Sequence, residues 1–171
     1  PPRSTLFPYT TLFRSQALRE GLQQVRWPGR MELLHIVHQE KKLRLLLDGA
    51  HNEAGVAALT VALRHGFPRR QLVLVWGNMA DKNMGAVLFE LMAMAERILL
   101  TRAESQRSAA PSLLLAQLPP DLQAKSQCVE PVEQALAVAG ALAEADDLLC
   151  VAGSLYLVGR VRRLLVGETP A

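Results

Sequence analysis

The segment LLLDGAHNEAGVAAL, residues 45–59, carries side chains suited to a ligand site. Asp48 closes an apolar run, Gly49 leads the chain into a helix start, and Asn52 is placed to cap that helix. Backbone N–H groups at such a start can face an anion, and Asp48 can accept hydrogen bonds from hydroxyls. A capped strand-to-helix turn would use the same residues with no ligand, and residue physics alone leaves both readings open. Asn can still accept a hydrogen bond at this turn, so Asp48→Asn is expected to leave the fold intact. Upstream, Pro28-Gly29 makes a turn that would present Arg30, whose guanidinium fork suits phosphate. The alternative is a surface arginine after a turn. Asp81 is placed to cap one following helix, and Ser154 the last one. Among the histidines, only His51 lies in a motif. His35 and His38, three apart on a strand, face opposite sides and cannot share a metal. His65 closes a helix, where the dipole favours it. No Ser/His/Asp set has supporting context, and no covalent nucleophile is evident.

These residues need elements to hold them. Glu32–His38 and Leu43–Asp48 read as strands joined by a charged turn of Lys41, Lys42 and Arg44. Ala54–Arg64 has helical apolar spacing and stops near Gly66-Phe67-Pro68. Strands are expected at Leu72–Gly77, Arg97–Thr101, Lys125–Val129 and Asp147–Ala152. Helices are expected at Met84–Ala95, Ser108–Gln117, Val132–Ala145 and Ser154–Leu165. Short apolar strands alternating with helices predict an α/β fold, a Rossmann-like and mostly parallel sheet with helices on both faces. In such a sheet ligands bind beyond the carboxyl ends of the strands. The polar clusters at 48–52, 77–82, 101–107 and 153–154 all fall there.

The segments together resemble the folylpolyglutamate and dihydrofolate synthases of the Mur ligase superfamily. Asp48-Gly49-Ala50-His51-Asn52 is similar to that family's D-G-A-H-N signature, with Glu53 where a Pro usually follows. Glu is tolerated in a first helical turn and favoured by the dipole. Trp27-Pro28-Gly29-Arg30-Met31-Glu32 resembles W-P-G-R-x-E. Gly77-Asn78-Met79-Ala80-Asp81-Lys82-Asn83 resembles G-x-x-x-D-K-D, with Asn83 in place of the last Asp. Gly153-Ser154-Leu155-Tyr156-Leu157-Val158-Gly159 resembles the terminal G-S-L-Y-L-V-G. TRAESQRSAAP, residues 101–111, is similar to the N-P-R segment of Mur ligases, with Ser105-Gln106 before Arg107 instead of Asn-Pro.

The resemblance implies a Mur ligase C-terminal-type domain over residues 16–171. It implies that Arg30 faces the γ-phosphate of ATP and Asp48 the ribose hydroxyls, with Asn52 in the same nucleotide-binding set. It makes His51, Lys82 and Ser154 catalytic-site residues, and Arg107 the group that grips the incoming amino acid's carboxylate. The implied reaction activates a folate or dihydropteroate carboxylate as an acyl phosphate, from which the amine of L-glutamate displaces phosphate. No G-x-x-x-x-G-K-[ST] occurs in the chain. The P-loop and the Mg²⁺ ligands are therefore expected in an N-terminal domain, and this chain alone is expected to be inactive. Alternatives are another Mur-type amide ligase, for peptidoglycan or cyanophycin, or a non-catalytic nucleotide- or protein-binding module.

Composition narrows the classes further. The formal charge is +3, but two of the cations, Arg3 and Arg14, lie in a stretch with no acidic residue. No Lys/Arg stripe with interleaved aromatics follows, so nucleic acid is not an expected partner. The uncharged run from Leu148 to Gly159 is too short to span a bilayer, and no membrane partner is expected. Cys128 and Cys150 form no C-x-x-C pair and are expected to be buried thiols of a reducing cytosol. A cytoplasmic monomer is the expected state. Residues 1–15, PPRSTLFPYTTLFRS, resemble translated sequencing-adapter read-through and are expected to be unstructured.

Overall fold

Period-2 alternation sorts the strand side chains onto two faces. In β3 (Leu72–Trp76), Leu72, Leu74 and Trp76 join one core, and Val73 and Val75 join the other. The same division runs through the computed structural model, which describes residues 16–21, 24–25, 27–82, 85–102 and 106–167. After a helical stretch at 16–21, the chain runs β1 (Glu32–His38), β2 (Lys41–Leu47), α1 (Glu53–His65), β3, α2 (Gly85–Ala93) and β4 (Arg97–Leu100). It continues through α3 (Pro111–Gln117), α4 (Pro120–Gln123), β5 (Ser126–Cys128), α5 (Val132–Leu142), β6 (Leu148–Ala152) and α6 (Leu155–Val166).

The six strands lie in the order β1-β2-β6-β3-β4-β5. Only the β1–β2 pair is antiparallel. The expected α/β fold with a mostly parallel sheet is what forms. Val56, Leu59 and Leu63 of α1, Leu91 and Met92 of α2, and Leu114 of α3 cover one face. Val132, Ala135 and Ala139 of α5, with Leu157, Val158 and Val161 of α6, cover the other. Both faces of the central strands are therefore dry, which is why β3 and β6 are apolar at every position.

The connections generate a switch point. The chain leaves β2, β3 and β4 by helices on the first face. It then returns over the opposite face through α5 and inserts β6 between β2 and β3. The exits from β6 and β3 thus diverge to opposite faces, and a crevice opens between them at their carboxyl ends.

Three expectations change on inspection. The β1–β2 turn is only Gln39-Glu40, both with positive φ (47° and 69°), as in a two-residue type I′ hairpin. Lys41, Lys42 and Arg44 therefore belong to β2. Lys41 pairs with His38 across the hairpin and donates through Nζ to the carbonyl of Ala143 and to Glu144. The short helix α4 was not expected, because Pro119-Pro120 reads as a stop. Pro120 instead occupies a first-turn helical position, where its missing N–H costs nothing. Cys128 is exposed on the edge strand, and only Cys150 is buried. The expectations for residues 1–15 and for Asn83 lie outside the described residues.

Candidate active-site cleft

Four strand ends meet at the crevice, and close backbone contacts set their spacing. Beyond β6, Gly153 has φ +107° and donates its N–H to Ala50 O at 2.9 Å. A Cβ there would stand 2.7 Å from Gly77 O and 2.9 Å from the Trp76 ring. Any side chain would push the β6 and β3 exits apart. At Gly49, a side chain would run into Leu155, the first residue of α6.

Asp48 organises the turn after β2. The residue is 6% exposed. Oδ1 accepts from Ala50 N and Oδ2 from Met31 N, each at 2.9 Å. Gly49 N donates to Gly29 O at 2.8 Å. The Asp48 turn thus clasps the 27–31 turn that carries Arg30. A second anchor comes from Glu32, which accepts from Gly29 N at 2.7 Å and from Arg162 Nε of α6 at 3.1 Å through both oxygens. Arg30 itself is exposed and lines a shallow hollow of about 280 Å³ with Trp27, Pro28, Met31 and Leu33.

His51 follows on the same turn. Its Nδ1 lies 2.7 Å from Gly49 O. A carbonyl can only accept, so Nδ1 carries the proton and Nε2 bears the lone pair of the neutral ring. Asn52 caps α1 as expected, with Oδ1 accepting from Gly55 N at 2.8 Å. Ser154 caps α6, with Oγ accepting from Tyr156 N at 3.2 Å. Lys82, after Asp81, is non-helical and α2 is described from Gly85, so the expected cap by Asp81 onto residues 83–84 lies outside the described residues.

The loops after β3 and β4 are joined to each other. Met79 and Ser108 form an isolated antiparallel bridge. Ala80 N donates to Arg107 O at 2.8 Å, and Ala109 N to Asn78 O at 2.9 Å. This pairing sets Lys82 and Arg107 beside one opening. His51, Met79, Asp81, Lys82, Arg107, Ser154, Leu155 and Tyr156 line one cleft of about 250 Å³.

Four of the residues expected at a site, His51, Lys82, Arg107 and Ser154, are therefore brought together. Arg30 sits in the neighbouring hollow, tied to Asp48 through Met31. Asp48 and Asn52 line neither opening, and their side-chain oxygens already accept backbone N–H groups. Three contributors escaped sequence reading. Glu32 lies inside the W-P-G-R-x-E segment, which was its one signal. Arg162 lies among ordinary basic residues of α6 and gives none. Asn78 stands at an unspecified position of its motif. Among the described residues, no group of three or more His, Cys, Asp or Glu side chains could hold a metal ion.

The fold is that of a ligase C-terminal domain. The profile described as "Mur ligase, glutamate ligase domain" matches residues 29–155, and the chain belongs to that family. Its relatives narrow the class. Over 151 residues it is 32% identical to the "Probable bifunctional folylpolyglutamate synthase/dihydropteroate synthase" of Haloferax volcanii, a match covering 86% of this chain and 17% of that protein. It superposes on the Mycobacterium tuberculosis folylpolyglutamate synthase complexed with ADP at a TM-score of 0.76 and 28% identity, covering 91% of this chain and 36% of that one. A bifunctional folylpolyglutamate synthase/dihydrofolate synthase with Mn, AMPPNP and L-glutamate bound gives a TM-score of 0.71 at 26% identity, covering 87% and 34%. The chain thus spans about a third or less of these proteins. They are folate ligases, not peptidoglycan or cyanophycin ligases.

Proposed function

We propose that this chain is the glutamate-receiving domain of an ATP-dependent, ADP-forming ligase that joins L-glutamate to dihydropteroate or to a folate. The observation that carries the reading is the convergence of Lys82, Arg107, His51 and Ser154 on one cleft at the switch point. Two cations on neighbouring loops complement a dicarboxylate, and each carboxylate left unpaired there would lose a charge-assisted contact. The complexes of the similar proteins with ADP, and with AMPPNP and L-glutamate, support this choice of ligands.

The chemistry follows in two steps. The acceptor's carboxylate oxygen attacks the γ-phosphorus of ATP, forming a C–O–P linkage as the bond to ADP breaks. The glutamate nitrogen then attacks the acyl carbon; the C–N bond forms, phosphate leaves with the C–O electron pair, and the nitrogen sheds its proton. In this reading Lys82 and Arg107 hold the carboxylates and aim the amine. His51 Nε2 and Ser154 Oγ face it, with the imidazole fixed by Gly49 O. Arg30 stabilises charge on the transferring phosphoryl group after domain closure. Asp48 and Asn52 serve the nucleotide side by holding the turns in place; with both oxygens taken by Ala50 N and Met31 N, Asp48 acts through the Arg30 turn and not by direct contact with the ribose hydroxyls. A divalent ion accompanying the nucleotide would neutralise phosphate charge. The described residues offer it no cluster, and in this reading its ligands belong to a P-loop domain of the whole protein. That protein is read as a cytoplasmic monomer acting on small molecules. Among the described residues, no helix is long and apolar enough to cross a membrane.

The test uses the full-length protein. Wild type should convert ATP, glutamate and an acceptor to ADP, phosphate and amide. Lys82→Ala and Arg107→Ala should each raise the KM for glutamate by about one to two orders of magnitude, the worth of one charged hydrogen bond. KM for ATP should stay within about twofold. A full-length protein that forms no amide, or variants with unaltered glutamate kinetics, would overturn the reading.

A further inference from the structure

We propose that Asn78 is a positioning residue that sets the spacing of the two cations, Lys82 and Arg107. The inference rests on the cleft being the glutamate site. Asn78 is 3% exposed and every polar atom of its side chain is engaged. Oδ1 accepts from the buried Trp76 Nε1 at 3.0 Å. Because the indole N–H can only donate, the amide has one orientation, with Nδ2 turned into the loop. Nδ2 donates to Met79 O at 3.0 Å and to Lys82 O at 3.1 Å. It thereby fixes both ends of the segment that carries Lys82.

The main chain of the same residue acts on the other loop. Asn78 O accepts from Ala109 N at 2.9 Å, alongside the bond from Ala80 N to Arg107 O. Asn78 thus holds Lys82 through its side chain and the 107–109 segment through its backbone. Trp76 supplies a rigid reference: it is fully buried, and its ring packs beneath Gly153. The register between the two cations is therefore read off the end of β3, through one amide. The neighbouring Asp81, at 3.8 Å from Lys82 Nζ and itself largely exposed, gives Lys82 no such constraint. A ligand that bridges the two cations with two carboxylates needs that register, whereas ATP, on the Arg30 side, does not.

Asn78→Asp keeps the size and the acceptor for Trp76 but removes both donors. In the 171-residue chain, amide exchange at Ala80 and Ala109 should accelerate at least tenfold while the amides of β6 keep their protection. In the full-length enzyme, KM for glutamate should rise at least tenfold, with KM for ATP within twofold. Trp76→Phe removes the orienting N–H and trims the buried indole to a single ring, and should shift both readouts in the same direction, which keeps the proposal testable if Asn78→Asp does not fold. Loss of loop protection without a change in KM for glutamate, or unchanged protection in both variants, overturns it. A wild-type enzyme that makes no amide overturns the proposed function, while the exchange data still decide whether Asn78 holds the loops.

Discussion

Asp48→Asn is the substitution for which the structure reverses the expectation drawn from residue chemistry. Asn was expected to preserve the turn because it still accepts a hydrogen bond. Yet both carboxylate oxygens of Asp48 accept backbone N–H groups, from Ala50 and Met31. An amide must set its NH₂ against one of them, so that one buried N–H faces a donor. Losing a hydrogen bond to a charged acceptor costs roughly 1.5–3 kcal/mol, and reducing the other to a neutral bond about 1 kcal/mol more. The bond to Met31 also holds a non-glycine residue at φ 48°, so its loss frees the Arg30 turn to relax. A net cost of about 3 kcal/mol corresponds to a fall in Tm of roughly 6–12 °C for a domain of this size. Thermal and urea melts of the two chains by circular dichroism measure it. A fall in Tm under about 2 °C would refute the reasoning and return Asp48 to a role in ligand contact alone.

Thiol labelling separates the two cysteines. Cys128 should react in the native chain, whereas Cys150, buried and with its thiol pushed up by desolvation, should react only on unfolding; native labelling of Cys150 would contradict the packing of β6. Asp147 gives a pH dependence. Burial raises its carboxyl, but the hydrogen bonds from Arg70, Glu144 N and Gln71 outweigh that and hold it below the usual range. A depressed carboxyl contributes stability that is present above its unfolded pKa and lost as pH falls through the lower folded value. Asp147→Asn should therefore lower Tm at pH 7 and converge with wild type as pH falls through the depressed folded pKa of Asp147. A Tm gap independent of pH would show that the effect is steric.

Local rules made much of the site legible. The caps at Asn52 and Ser154 follow from side-chain oxygens three and two residues from waiting N–H groups, and the spacing alone announces them. The convergence of His51, Lys82, Arg107 and Ser154 followed from a topological rule, because all four lie just past strand ends. What stayed hidden depends on partners distant in sequence. Glu32 and Arg162 meet only once α6 packs on the second face. Asn78 reads as a neutral loop residue until the indole of Trp76 fixes its amide. The exposure of Cys128 reflects β5 lying at the sheet edge, and nothing in its immediate sequence distinguishes an edge strand from a central one. The helix at Pro120–Gln123 was lost to a proline that starts a turn as readily as it ends one.

The position of β6 has a consequence for biosynthesis. It is the last of the six described strands to be made, yet it lies between β2 and β3, which share no ladder with each other. Until residues 148–152 emerge from the ribosome, the β1–β2 hairpin and the β3–β4–β5 ladder are two separate pieces, each with an open apolar edge. Vectorial synthesis thus leaves the nascent domain incomplete for most of its translation, and the final strand must insert into a waiting slot instead of adding to a flank. Long-range closure of this kind is slow and exposes sticky edges. A nascent chain arrested before Leu148 should therefore be a chaperone client, and one arrested after α6 has cleared the tunnel should not.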